Sequence, residues 1–320
     1  MQPLVSICVP VYNVAPYIAR CVCSLMEQSY ENLEFVFVND CSTDDSIALL
    51  QTIADEYPER KEHIRILHNE CNRGLAHTRC VSIENAEGEY IVCVDSDDYI
   101  EKDYVEKLCS QLAPDCDLVI GGYRDETETR SEIKEALPVA HEDLLLAALE
   151  DRICRLAGKL IRRSLITQFA PEGMNYLEDR IVLLYICGKI RKAAVVNEPL
   201  YHYALRRDSV SGHKSSLHFQ CLIQYWQLAD KYLAERHLTG HYQLATDRQK
   251  TSDKYHLLHF CPDVSVCRQY ADLFPEVEER NIPLSLPRGK QLTRFLTKRH
   301  LWLLLRCYKS FIALKTAKSL

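Results

Sequence analysis

Short apolar runs alternating with longer amphipathic ones through the first 120 residues constrain this chain more than any other feature. Residues 5–9, 33–38, 64–67, 90–94 and 118–120 have the length and β-branched content of buried strands. Between them, 17–28, 44–57, 75–86 and 103–112 carry apolar residues at helical spacing, with Ser42 or Thr43 in place to cap the second. Strand and helix in regular alternation predict an α/β fold with a mainly parallel sheet, right-handed crossovers and helices on both faces. Ligands of such sheets sit beyond the carboxyl ends of the strands. That rule gathers residues 10–13, 39–42 and 95–98 on one edge.

The fourth apolar run closes on Val94-Asp95-Ser96-Asp97-Asp98. Three carboxylates within four residues repel one another, and the end of a buried strand is a poor place for them without a cation or a set of donors. A divalent metal carrying a diphosphate meets that need. Oxygen-only ligands suit Mg2+ or Mn2+, which keep positions open for phosphate oxygens and water. The simpler reading is a helix start, since aspartate favours caps and first turns and Asp103 opens a helix just beyond.

Residues 124–142 are polar and read as an exposed loop or hairpin. Helical segments follow, with a second acidic pair at Glu178-Asp179 and a strand over 193–197. Beyond Gly212 the pattern is helical throughout: 217–236, 241–260, 266–274 and one long helix over 292–315. The fifteen cysteines are scattered, odd in number and without paired zinc spacing, as expected of reduced, buried thiols in a cytoplasmic protein. The first residues run straight into a strand, so no signal peptide is expected. No apolar stretch reaches the roughly 18 to 20 residues of a membrane span.

Charge is placed unevenly. Residues 288–320 hold nine of the 39 Lys and Arg and none of the 45 Asp and Glu, so an acidic body precedes a basic tail. The acidic body argues against nucleic acid as a partner. In the tail, Leu, Phe, Trp302 and Ile interleave with Arg294, Lys298, Arg299, Arg306 and Lys309. A helix of that kind lies in a membrane interface, or packs on the rest of the chain or on a second copy as a homodimer contact.

Taken in order, Val5-Ser-Ile-Cys-Val-Pro-Val-Tyr-Asn13, Asn39-Asp-Cys-Ser-Thr-Asp44, Asn72-Arg-Gly-Leu-Ala-His-Thr-Arg79, Asp95-Ser-Asp-Asp98 and Leu177-Glu-Asp179 resemble the motif series of family 2 glycosyltransferases. Lys159-Leu-Ile-Arg-Arg163 and Pro199-Leu-Tyr-His-Tyr203 also look like that family's bacterial polysaccharide members. The resemblance covers residues 3–212. It implies a GT-A-type fold, with a Rossmann-like nucleotide-binding half over 1–123 and an acceptor and base half over 124–212; the helical region over 213–320 rests on its pattern alone.

The resemblance also implies roles. Pro10, Tyr12 and Asn13 would line the donor pocket, with Tyr12 stacking on the base, and Asp40 would accept a base N–H. Arg79 would sit near the base or phosphates. Asp95 and Asp97 would hold ribose and metal, with Asp98 a second candidate for the metal. Asp179 would be the catalytic base, with Glu178 beside it. The implied reaction is inverting transfer of a sugar from a nucleotide-sugar donor to a glycan or lipid-linked acceptor, at the cytoplasmic side of the cell membrane.

The sequence departs from the family pattern at Asn39 (often aspartate), Cys41 (often glycine), Cys80 (often asparagine) and Ala204 (often arginine). The last weakens a diphosphate role for Arg206 and Arg207. Two other readings compete. A nicotinamide dehydrogenase would need a glycine-rich turn after the first strand, and Val9-Pro-Val-Tyr-Asn13 has none. A non-catalytic nucleotide-sugar-binding protein would keep Tyr12 and Asp40 but has no need of Asp179. Taken without the motif order, Glu178 and Asp179 are simply first-turn carboxylates on a helix dipole.

Overall fold

The computed structural model describes residues 2–127, 131–134, 144–205, 214–280 and 286–319, with side chains through Ile312. The chain divides into two compact units, residues 1–145 with 153–205, and residues 146–152 with 206–320.

The first unit is built on β1 (Val5–Val11), α1 (Ala15–Met26), β2 (Leu33–Asn39), α2 (Ser46–Ala54), α3 (Pro58–Lys61), β3 (Ile64–His68), α4 (Leu75–Glu84) and β4 (Tyr90–Cys93). β5 (Tyr99–Ile100), α5 (Tyr104–Ser110), β6 (Leu118–Glu126), β7 (Ser131–Lys134), α6 (Leu144–Leu149), whose residues from 146 on count with the second unit, β8 (Lys159–Arg162), α7 (Glu178–Cys187) and β9 (Ala193–Ala204) follow. One sheet runs β3-β2-β1-β4-β8-β6-β9-β5, with β7 on β6. β3, β2, β1 and β4 are mutually parallel, as the alternation predicts. Every residue of β1, β2 and β4 is buried, which is why these strands read as unbroken apolar runs. Pro10 is tolerated in a central strand because β4 stops pairing with β1 at Cys8↔Cys93.

Past β4 the sheet becomes mixed: β8 joins it antiparallel, β6 pairs antiparallel with β8, and β9 runs parallel to β6. The strand expected over 193–197 thus continues to Ala204. Its bulge falls at Gly122↔Pro199, where a Cβ on Gly122 would come within 2.6 Å of the Glu198 carbonyl oxygen. β6 and β7 form the hairpin foreseen in the polar stretch. β6 also runs through residue 123, so the expected boundary between the two catalytic halves falls inside a strand.

The second unit is helical over α8 (Ser216–Glu235), α9 (Thr239–Phe260), α10 (Val264–Gln269), α11 (Pro275–Glu279), α12 (Arg288–Lys298) and α13 (Trp302–Ser319). The long helix expected over 292–315 is two. His300 adopts a left-handed conformation (φ 53°), its N–H bonding the Thr297 carbonyl at 3.0 Å and the Leu301 N–H the Leu296 carbonyl at 2.9 Å. This is the closing pattern of a Schellman motif. The sequence hides it because the left-handed residue is histidine rather than glycine.

Candidate active site

The carboxyl ends of β1 and β2 are joined through side chains. Asn13, left-handed at φ 49°, accepts the Thr43 N–H on Oδ1 at 2.8 Å, and its own N–H donates to Ser42 Oγ at 3.2 Å. Ser42 N–H in turn donates to Asn39 Oδ1 at 2.9 Å, and Asp44 accepts the Ala15 and Ser46 N–H groups at 2.9 and 3.1 Å. Ser42 and Thr43 therefore tie two loops together instead of capping α2, which begins at Ser46. Tyr12 stands 47% exposed at the rim, with Pro10 buried behind it.

Asp40 is buried and acts on a third loop. Its Oδ1 accepts Asn69 Nδ2 and the Arg73 N–H at 2.8 and 2.9 Å, and its Oδ2 accepts the Gly74 N–H at 2.8 Å. Asp40 thus fixes the turn that leads into α4. That turn needs glycine: Gly74 has φ 84°, and a Cβ there would meet the Asn175 side chain at 2.3 Å.

α4 carries Arg79 into the interior. Its guanidinium, 4% exposed, donates to Asp95 at 2.6 Å, to Glu178 at 2.8 Å and to Asp179. Its two terminal nitrogens are engaged by three carboxylates, while among the described residues its Nε has no partner. The same contacts join the acidic run after β4 to the acidic pair that opens α7. Glu178 and Asp179 are indeed first-turn residues, but Leu177 before them is left-handed (φ 66°), which turns both toward Arg79.

One cation among three carboxylates leaves excess negative charge. Burial, then the neighbouring Asp179, pushes the Glu178 carboxyl up to about 7 against the pull of Arg79. Burial likewise raises Asp179, with Arg79 acting in the opposite direction. Asp179 keeps its orientation by accepting the Leu156 N–H on Oδ2 at 3.0 Å, and its side chain remains 17% exposed. A fixed, partly exposed carboxylate with raised proton affinity is suited to take a proton from a hydroxyl.

Within the acidic run the three aspartates differ. Asp95 and Asp97 are partly exposed, whereas Asp98 is fully buried. Asp98 Oδ2 accepts the Tyr201 hydroxyl at 2.6 Å and Oδ1 the Ala204 N–H at 2.8 Å. Both oxygens of Asp98 are thus engaged by β9, which it pins against the run. Burial, then the charges of Asp97 and Asp95, raises its pKa well above the ordinary carboxylate range. The partly exposed carboxylates of the run are therefore Asp95 and Asp97, hard oxygen donors of the kind that fits Mg2+ or Mn2+ with the remaining positions taken by phosphate and water. Among the described residues no group of three or more potential ligands gathers to hold an ion without a substrate.

Sequence reading places Tyr201 and His202 in a family-like segment but gives neither a role. The period of two along β9 puts them on opposite faces. Tyr201 meets the acidic run, while His202 is clamped between Glu101 at 2.8 Å and Glu126 at 3.0 Å and stacks on Tyr99 with 4.1 Å between centroids. Arg206 and Arg207 lie outside the described residues.

The family model described as Glycosyl transferase family 2 matches residues 6–168. EpsH, named as a glycosyltransferase in Bacillus subtilis (strain 168), is 31% identical over 257 residues, covering 77% of this chain and 73% of EpsH. TarS 1–349 from S. aureus, solved with UDP-GlcNAc, superposes with a TM-score of 0.60 at 18% identity, over 93% of this chain and 92% of that one. The mannosyltransferase PcManGT from Pyrobaculum calidifontis, solved with GDP-Man and Mn2+, does so with a TM-score of 0.55 at 16% identity, over 97% and 88%. At these identities the two solved structures show a common fold.

Proposed function

Because this chain belongs to glycosyltransferase family 2, we propose that it moves a sugar with inversion from a nucleotide diphosphate, a UDP-sugar, to a hydroxyl of a glycan or lipid-linked acceptor. We take the place of action to be the cytoplasmic face of a bacterial membrane, in surface polysaccharide synthesis. The observation that carries this reading is the Arg79 bridge, which brings a donor-side carboxylate, Asp95, and the base, Asp179, onto one guanidinium.

In this reading Tyr12 offers its exposed ring to the base of the nucleotide, and Asn13 holds the rim on which it stands. Asp40 fixes the loop beneath. Asp97 with Asp95 would hold a divalent ion, Mn2+ or Mg2+, which when bound neutralises charge developing on the departing diphosphate. Asp179 removes the proton from the acceptor hydroxyl as the new bond forms. A single base opposite the leaving group gives inversion, whereas retention through a covalent intermediate would need a carboxylate nucleophile. The UDP-GlcNAc of TarS and the GDP-Man with Mn2+ of PcManGT support a nucleotide-sugar donor and a divalent ion.

The test is a panel of nucleotide sugars with Mn2+ or Mg2+, scored by release of nucleoside diphosphate. Metal-dependent release from one donor supports the proposal. Tight nucleotide-sugar binding with no release, from any donor and with acceptor extracts present, would favour a non-catalytic binding protein.

A further inference from the structure

Among the described residues, α13 is held to the second unit by one side and is exposed on the other. Leu305 and Lys309 face inward. Lys309 Nζ donates to the Leu258 carbonyl at 2.6 Å and to the Cys261 carbonyl, closing the C-terminal end of α9, and Tyr308 reaches Gly289. The outward side carries Leu303 (74% exposed), Leu304, Cys307 and Phe311, an apolar stripe at helical spacing, with Arg306 beside it. α12 adds exposed Leu292 and Phe295, and Leu301 stands exposed in the turn between the helices.

The polar groups around these side chains are cationic. A shallow groove of about 460 Å³ along α12 is lined by Gln291, Arg294, Phe295, Lys298 and Arg299. Arg294 and Lys298 share one carboxylate, Glu278, so the groove keeps net positive charge. Arg288, Arg299 and Arg306 are exposed, and residues 288–320 contain no acid at all. Two copies meeting through this face would bring like charges together, and an acidless surface offers no complementary partner to itself.

We propose that this face of α12 and α13 docks on the headgroup region of an anionic bilayer, its apolar side chains entering the interface and its cations meeting lipid phosphates. Among the described residues no helix is long and apolar enough to cross a membrane, so the contact is peripheral. It deepens the membrane-side reading given above, but its test does not depend on sugar transfer.

The experiment is co-sedimentation of the full chain with vesicles of phosphatidylcholine alone or mixed in equal parts with phosphatidylglycerol. Binding is expected only to the mixed vesicles, falling as salt is raised. Arg299→Gln with Arg306→Gln should weaken it by about fivefold for each cation removed. Leu303→Gln with Leu304→Gln should weaken it roughly tenfold or more. All four positions are exposed, so the variants should fold, and their nucleotide release in lipid-free assay should match the parent. A parent that stays in the supernatant at low salt overturns the proposal, as do variants that bind like the parent. A lipid-free dimer dispersed by the leucine changes overturns it in favour of a second copy. A parent that binds the mixed vesicles but releases no nucleotide from any donor would instead count against the transferase reading and leave the docking face standing.

Discussion

Tyr201 donates its hydroxyl proton to Asp98 at 2.6 Å, and the same oxygen accepts the Asp95 N–H at 3.1 Å. One side chain from β9 thus satisfies a fully buried carboxylate and fixes the backbone of the acidic run. Tyr201→Phe would leave Asp98 with an unmet acceptor in the interior. The expected cost is about 1–3 kcal/mol of folding stability. It should appear as a lower urea midpoint at unchanged slope.

The burial difference between Asp97 and Asp98 separates two effects that the sequence alone merges. Asp97→Asn should abolish the Mn2+-dependent tightening of UDP seen by calorimetry while leaving the melting temperature near that of the parent. Asp98→Asn should do the reverse, lowering the melting temperature and leaving a metal effect on UDP. Equal loss of the metal effect in both variants would return Asp98 to the ligand set.

Asp179→Asn removes the proton acceptor but keeps a group that can accept the Leu156 N–H. Turnover should fall by about 10²- to 10⁴-fold, the usual contribution of a general base. UDP affinity should hold, since Asp179 faces the acceptor in the proposed reaction. A variant with near-normal turnover would place the base elsewhere.

Glu178 makes stability depend on pH. Its carboxyl sits at about 7 in the folded chain, against about 4.3 for an exposed glutamate. Between those values the folded state binds more protons than the unfolded state, so stability is fully present below about 4.3 and declines as pH rises toward 7. Asp179, also raised, acts in the same sense, and the pair titrates jointly. Glu178→Gln should flatten this slope when urea midpoints are measured across that range. An unchanged slope would show that the Arg79 pairing keeps Glu178 ionised throughout.

The Arg79 bridge itself can be cut. Arg79→Met would leave three neighbouring carboxylates without their shared cation, a loss of about 3–5 kcal/mol if they stay ionised. Lowering the pH should recover part of that loss as the carboxylates protonate. A melting temperature insensitive to the substitution would mean that the bridge contributes little.

The local chemistry of the chain settled the parallel half of the sheet and the edge on which the motifs meet. Fully buried parallel strands must be continuous apolar runs, and 5–9, 33–38 and 90–94 are such runs, so their polar terminators mark the open edge. What each polar residue does at that edge depends on partners far along the chain. Asp97 and Asp98 are adjacent and chemically identical, and only the arrival of Tyr201 and Ala204 on β9 makes one a buried anchor and leaves the other outward. Arg79 reads only as a donor-side residue, and the sequence carries no sign that α7, 99 and 100 residues later, delivers Glu178 and Asp179 to it. The antiparallel joining of β8 and the break at His300 were likewise invisible, since strand direction and a left-handed histidine leave no periodic trace. Periodicity is a property of neighbours in sequence, and it fixes elements and edges. Burial and charge pairing are properties of neighbours in space, so the tertiary structure alone decided which carboxylate is buried as an anchor and which is partly exposed.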